Sequence, residues 1–561
     1  MDRGLLAWCA LVVVVAALLR LTGLGRLQPH APEPDSYLVL QTEILREGRE
    51  PNLAQSEKGF YAYPLLLAEG LALLPAARAA TEASAEVQLE AAAADYLRGR
   101  TLVAWLSLLI VPASFLLARR FVDPLAALIA ALLVATSLLT LYFGQQARHH
   151  APHASFALLT LLAALQMRAR PSWASYLATA ALALVTLSLL HSGWFALLPI
   201  VAAHALREPS ERGQRRAPWF ALGLPLAGFG LAWWGFYPRT AEPLDASASY
   251  SEGGHTLYWR DIDFSGAVKS ARILWDYDPG LTLLALIGAG LALAGARRAW
   301  SDAGAAARRD ALVVLAYAVP YCAALAAYKE TCDRMLLPLI PFLALLAGLA
   351  VSRAASLLSV AARPVWLAAA LAVPVFGAVS YVRVRDQLDT IEQSAQWLRE
   401  HAERGSQRIV VAPTITLPLA SDTTGLEPAK TDHASRLKRW LRFQLARSAP
   451  SDAWPVTPMP GKLFAGADLD KAKARLGKFL DDARPSWIVL DVTKYSRVNP
   501  LAAALRDWAE RHGELAVTLR GEDDTWRFEP ALDYQDVPSL FPRLARATAF
   551  GPAIEIYRVR P

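Results

Sequence analysis

Glu33 and Asp35 stand two residues apart in the run Pro29-His30-Ala31-Pro32-Glu33-Pro34-Asp35-Ser36-Tyr37. A proline favours an extended backbone in the residue before it, and in an extended chain residues two apart point to the same side. The two carboxylates can therefore converge on one reacting group or one cation. A shielded carboxylate just beyond a membrane helix is well placed to take a proton from a hydroxyl or an amine. A plainer role fits the same residues, with Asp35 capping a helix from Ser36 to Arg46 and Glu33 solvated.

A second group, Gln145-Gln146-Ala147-Arg148-His149-His150-Ala151-Pro152-His153, leads into an apolar helix whose first turn Pro152 suits. The positive end of that helix together with Arg148, His149 and His150 would make a phosphate site. The alternatives are an Arg148 that snorkels to lipid headgroups among interfacial histidines, or a metal held by His149, His150 and His153. His191 lies between two apolar segments and can either line a cavity with the acids or end a helix. In Lys329-Glu330-Thr331-Cys332-Asp333-Arg334, the two cations Lys329 and Arg334 can neutralise a phosphate or can simply be solvated. Pro338 and Pro341 interrupt the helix that follows, as at a cavity wall or a kink.

These groups must be carried by membrane helices. The chain has 561 residues, 54% hydrophobic and 19% charged, with a mean hydropathy of +0.27. That composition excludes a disordered or nucleic-acid-coating protein and points to a membrane protein. Three cysteines, Cys9, Cys322 and Cys332, exclude a disulfide scaffold and lack zinc-ligand spacing. A bilayer core of about 30 Å needs roughly 20 apolar residues per helix. Spans are expected near 5–25, 99–118, 122–143, 151–167, 173–190, 192–206, 218–236, 279–296, 311–328, 335–352 and 364–381, about eleven in all. Arginine-rich connections alternate: Arg119 and Arg120, Arg168 and Arg170, Arg207 to Arg216, Arg297 to Arg309, and Arg353 with Arg363. Placing them inside puts the N-terminus inside as well, and turns 26–98, 144–150, 237–278, 329–334 and the C-terminal region outward. The apolar stretch 61–77 is read as interfacial or re-entrant, and the first span as a retained helix rather than a cleaved signal. Residues 79–94, with Glu82, Glu86 and Glu90, suit a separate helix with an acidic face.

Beyond Tyr381 the apolar spans stop. A helix at 387–403, strands at 407–411, 487–491, 515–519 and 553–558 and a helix at 502–512 predict an α/β domain. The region between, rich in proline, reads as irregular. The expected division is 1–382 for the membrane part and 383–561 for the α/β part.

The order of these segments, with YPLLLAEGLALL, YFGQQARHHAPHASFALLTLLAAL and DRMLLPLIPFLALLAG in sequence, resembles the GT-C superfamily of polyprenyl-phosphate-sugar-dependent glycosyltransferases. Its nearest likeness is to bacterial relatives of protein O-mannosyltransferases and of the lipid A aminoarabinose transferase. The likeness spans about residues 1–382, and the segment QSAQWLREHAERGSQRIVVAP is similar to the start of the periplasmic domain of many members. The resemblance implies a multi-pass α-helical membrane fold, GT-C-like with about eleven spans, and a C-terminal extracytoplasmic α/β domain. It implies residence in a bacterial inner membrane, a polyprenyl-phosphate-linked sugar donor, an extracytoplasmic acceptor and contact with membrane lipids, with no nucleic acid. Transfer by direct displacement with inversion is expected of the family.

Carried over by residue, the family's Asp-Glu pair falls on Asp35-Ser36, so Asp35 is the expected base and Ser36 a departure that Glu33 would have to make good. The family's Arg-Pro-Asp falls on Ala151-Pro152-His153, which puts His153 in the place of an acid. A lysine near a glycine in the middle helices falls near His191. Arg334-Met335-Leu336-Leu337-Pro338 matches the family's Arg-x-Leu-Leu-Pro. Arg148, Arg334, Lys329, His149 and His150 would then hold the donor phosphate, with His153 and His191 in the pocket. Residues 237–278, with Tyr250, His255, Tyr258, Trp259, Asp261 and Asp263, would cover the site. No nucleotide is needed, and a divalent cation beside the acids is left open. Two rivals remain: a transporter or flippase for lipid-linked glycans, and a GT-C relative that binds glycans without catalysis, which the Ser36 and His153 replacements keep open.

Overall fold

The computed structural model describes residues 3–28, 30, 85–207, 219–236, 261–413, 415–422, 453–460, 463, 469–492, 500–521 and 540–560. Glu33, Asp35, the stretch 61–77 and residues 237–260 lie outside the described residues.

The first half is helical: α1 (Arg3–Leu21), α2 (Ala85–Leu108), α3 (Ile110–Ala118), α4 (Pro124–Thr136), α5 (Leu138–Gly144), α6 (His150–Ala169), α7 (Trp173–Leu189), α8 (Leu197–Ala205) and α9 (Gly223–Phe236). It continues through α10 (Gly266–Tyr277), α11 (Pro279–Asp302), α12 (Ala305–Ala327), α13 (Ile340–Leu357) and α14 (Ala362–Asp386), with 3-10 turns at His191–Ala196 and Asp333–Leu339. Six stretches among the described residues are long and apolar enough to cross a bilayer, or seven if the bent pair α4 and α5 is one span. α7 is apolar but shorter.

Burial is arranged as lipid demands. α1 keeps Leu6, Trp8, Leu11, Val14 and Leu18 exposed, while its buried residues are Ala16 and Arg20. α11 likewise exposes Leu283, Leu286, Ile287, Leu291 and Leu293. Such a helix is satisfied in hydrocarbon and would be unstable in water. The chain is thus a multi-pass α-helical membrane protein with an α/β region at its C-terminus. Small residues let the helices close on one another. A side chain at Gly288 of α11 would run into the Leu346 carbonyl of α13, and one at Gly348 of α13 into the Ala126 carbonyl of α4.

Four expected spans take other shapes, 218–236 among them because a 3-10 turn at Trp219–Leu222 precedes α9. The stretch 122–143 is broken by 50° between α4 and α5. Ser137 turns extended there (ψ 123°) and caps α5. The stretch 192–206 opens with a 3-10 turn before α8, and 335–352 opens with another, in which Pro338 removes a helical donor. Residues 85–94 continue straight into α2 rather than forming a helix of their own, and Glu90 stays exposed.

After a break at 387–389 comes α15 (Thr390–His401), followed by β1 (Ile409–Val411), β2 (Val456–Pro458), α16 (Leu469–Ala483), β3 (Trp487–Asp491), α17 (Pro500–His512), β4 (Gly513–Leu519), α18 (Leu540–Leu544) and β5 (Ile554–Val559). α14 and α15 together run 40 residues, twice what a bilayer needs, so α15 emerges from it. The sheet order is β2-β1-β3-β5-β4, with β1 parallel to β2 and β3, and β5 antiparallel to both its neighbours. Leu398 of α15, Leu480 of α16 and Leu505 of α17 share its core with Ile488 and Ile556. β2 lies in the stretch expected to be irregular. Leu540, Leu544 and Phe550 return to the core of the membrane helices, where Phe541 meets Phe376 of α14.

Candidate functional site

Two neighbouring residues at the end of α10 hold both arms of the site. Asp278 accepts from Ser137 Oγ (2.7 Å), Leu138 N (2.7 Å) and Leu139 N (3.3 Å), which satisfies the exposed first turn of α5. α5 leads directly to Arg148. Tyr277 donates its hydroxyl to Asp333 Oδ2 at 2.8 Å. Asp333 Oδ1 accepts from the Arg334 N–H at 2.7 Å, opening the 3-10 turn that carries Arg334. One dipeptide therefore positions two segments that are far apart in the chain.

Arg148 is 2% exposed. Its guanidinium donates to Gln146 Oε1 (3.4 Å) and lies 5.5 Å from the Phe143 ring centroid. His149 and His150 stack at 4.1 Å, also buried. The 3-10 turn that carries Asp333 and Arg334 packs against α5 and α6. Arg148, His149 and His150 thus lie together beside Phe143, and the turn with buried Asp333 and half-buried Arg334 packs on the same end of α6. Two guanidinium groups against one carboxylate, in surroundings of low polarity, attract an anion far more strongly than they would in water.

His153 faces a different set of groups. Its Nδ1 lies 3.3 Å from the Thr186 carbonyl and its Nε2 lies 2.9 Å from Ser192 Oγ. The Tyr321 hydroxyl donates to the Met335 carbonyl at 2.9 Å. His191 opens the 3-10 turn and is exposed, so the polar link from this turn to His153 is made by Ser192. Lys329 pairs with Asp261 at 2.8 Å, and Lys269 donates to its carbonyl. Asp263 accepts from Ser265 N and Oγ (2.9 and 2.6 Å). Among the described residues, His149, His150 and His153 do not converge on a common metal-binding point.

Asp333, Tyr277, Asp278 and Ser192 are the groups that sequence reasoning passed over. Asp333 was visible beside Arg334, where it looked like part of a solvated loop. Tyr277 and Asp278 sit in WDYDPG, ahead of an apolar span, and that placement was the available signal.

The sequence matches no family model and no curated protein. Among solved structures, it is similar to the archaeal oligosaccharyltransferase AglB from Archaeoglobus fulgidus in complex with an inhibitory peptide and a dolichol-phosphate. That match covers 91% of this chain and 72% of that one, at 14% identity and a TM-score of 0.45. It is also similar to ArnT from Cupriavidus metallidurans bound to undecaprenyl phosphate, over 87% of this chain and 92% of that one, at 16% identity and a TM-score of 0.39. Both of those proteins are named with a polyprenyl phosphate in hand.

Proposed function

We propose that this protein is an integral membrane glycosyltransferase that moves a sugar from a polyprenyl-phosphate donor to an acceptor at the outer face of a bacterial inner membrane. The observation that carries the reading is that Asp278 and Tyr277 bring the segment leading to Arg148 and the turn of Arg334 against the same end of α6. In this reading the two guanidinium groups hold the donor phosphate, with His149 and His150 packed beside them. Lys329, committed to Asp261, takes no direct part. His153 borders the sugar.

Asp35 is the general base. It takes the proton of the acceptor hydroxyl or amine as that group attacks the anomeric carbon. The bond from that carbon to the phosphate oxygen breaks, and the electron pair leaves with the polyprenyl phosphate, whose charge the arginines stabilise. Direct displacement inverts the anomeric configuration. Residues 1–382 supply the membrane part, with about eleven spans and the N-terminus inside, and 383–561 the extracytoplasmic part.

The test is transfer of a radiolabelled sugar from a polyprenyl-phosphate donor by purified protein in nanodiscs. Asp35→Asn should lower turnover by roughly 10²- to 10⁴-fold while the protein stays folded and keeps its donor affinity. Unchanged turnover would remove Asp35 as the base.

A further inference from the structure

The chain leaving α1 is fastened before it enters the first outward loop. Gln145 Nε2 donates to the carbonyls of Leu19, Arg20 and Thr22 (3.0, 3.2 and 2.9 Å). Arg100 Nη1 donates to those of Leu24 and Arg26 (2.7 and 2.5 Å). Arg26 Nε reaches the Asp386 carbonyl at 3.0 Å. Gly23 adopts φ +70° against the Arg385 carbonyl, where a side chain has no room.

A few residues on, the fastening passes to the α/β region. His30 Nε2 lies 2.9 Å from Asp389 Oδ2, with both side chains almost wholly buried, and the His30 carbonyl accepts from Thr416 Oγ1 at 2.8 Å. Asp389 caps α15, with Oδ1 accepting from Ile391 N (2.7 Å) and Glu392 N (2.8 Å). Glu392 Oε2 accepts in return from Asp389 N at 2.9 Å. A capping box of this kind needs no histidine and ordinarily stands in water. Here it is closed over by a residue from the other end of the chain.

We propose that His30, Asp389 and Glu392 form a proton-controlled latch that positions the start of the first outward loop against the α/β region. Its catalytic consequence, the placing of Asp35 five positions beyond His30, rests on the function proposed above. The latch itself does not.

Burial works against the Asp389 anion, but the His30 charge, the His30 hydrogen bond and the two N–H donors outweigh it and hold this carboxyl below its ordinary value. Burial and then the Asp389 charge push Glu392 up to about 7, against the opposing pull of His30 and Arg26. Among the described residues these are the charged groups that bear most strongly on it. The segment 548–551, which packs on Thr390 through the Phe550 carbonyl, adds none. A raised carboxyl gives stability that is fully present below its ordinary value and is lost as pH rises to its folded value. A depressed one gives stability that is lost only as pH falls through its own folded value. The latch is therefore firmest in mildly acid solution and loosens as pH climbs towards about 7. A neutral Glu392 still accepts from Asp389 N, whereas an ionised one repels the buried Asp389 carboxylate.

Hydrogen exchange of the Ile391 and Glu392 amides, corrected for intrinsic rates and read from pH 5 to 8.5 on the full-length protein in nanodiscs, tests this. Wild-type protection should fall as pH rises. Glu392→Gln should flatten that profile and protect these amides roughly tenfold better than wild type at pH 8. His30→Asn should lower protection at every pH and reduce kcat more than the donor KM. A Glu392→Gln profile that follows wild type would overturn the latch, as would a stoichiometric metal ion in the purified protein that His30→Asn releases. Because exchange needs no substrate, a protein with a working latch and no sugar transfer would refute the function alone.

Discussion

The chain buries an aspartate among arginines at both ends of α6, a helix of 20 residues and so about 30 Å long. The charge count is the same in each place, two guanidinium groups to one carboxylate, but the bonding differs. At the end expected to face inward, Asp310 takes Arg168 Nε on Oδ1 (2.6 Å) and Arg120 Nη1 on Oδ2 (3.0 Å). That ties the ends of α3, α6 and α12 together and leaves the acid fully engaged by its cations. At the other end the oxygens of Asp333 go to a phenol and a peptide N–H, while Arg148 is steadied by an amide and an aromatic ring. The first arrangement is a rivet. In the second, Asp333 takes a phenol and a peptide N–H beside the arginines, and the function proposed above would have those arginines meet a phosphate.

That contrast sets expectations in order of size. Asp310→Ala leaves Arg168 buried without its carboxylate and should cost about 3–5 kcal/mol, seen as a lower unfolding temperature in detergent, with normal turnover in the molecules that remain folded. Arg148→Ala should do the reverse, with turnover down roughly 10²- to 10³-fold, about 3–4 kcal/mol, and little change in unfolding. If both variants behave alike, the distinction between the two ends fails. Asp278→Ala removes the acceptor of Ser137 and of the first N–H groups of α5 and should cost about 1–3 kcal/mol of stability. Since α5 leads to Arg148, donor affinity should fall with it, which would sharpen the link between cap and site. Glu392→Gln should abolish the loss of thermal stability expected of wild type as pH rises to about 7. A wild-type slope in that variant would assign the pH dependence to another group.

Much of this was legible because membrane insertion writes itself into composition. Long apolar runs and the return to mixed α/β patterning beyond Tyr381 correspond to helices and sheet near their expected places. Periodicity could not show the break at Ser137, because an apolar run reads the same on either side of it and the acid that stabilises the break, Asp278, is remote in sequence. β2 was hidden by its three-residue length and its closing Pro458. For the site, Arg148 and Arg334 stood out as cations beside apolar helices. Asp333 did not, since a carboxylate next to an arginine in a short loop looks solvated until Tyr277 is seen to cover it. His30 looked incidental for the same reason, its partner lying at the head of α15.

Binding of a polyprenyl phosphate to protein in nanodiscs, followed by titration calorimetry, asks the question with the fewest intermediates. Wild type should bind, Arg148→Ala and Arg334→Ala should each bind at least roughly tenfold more weakly, and Asp310→Ala should bind as wild type does. Equal affinity in all four proteins would contradict a phosphate site at the outer arginines.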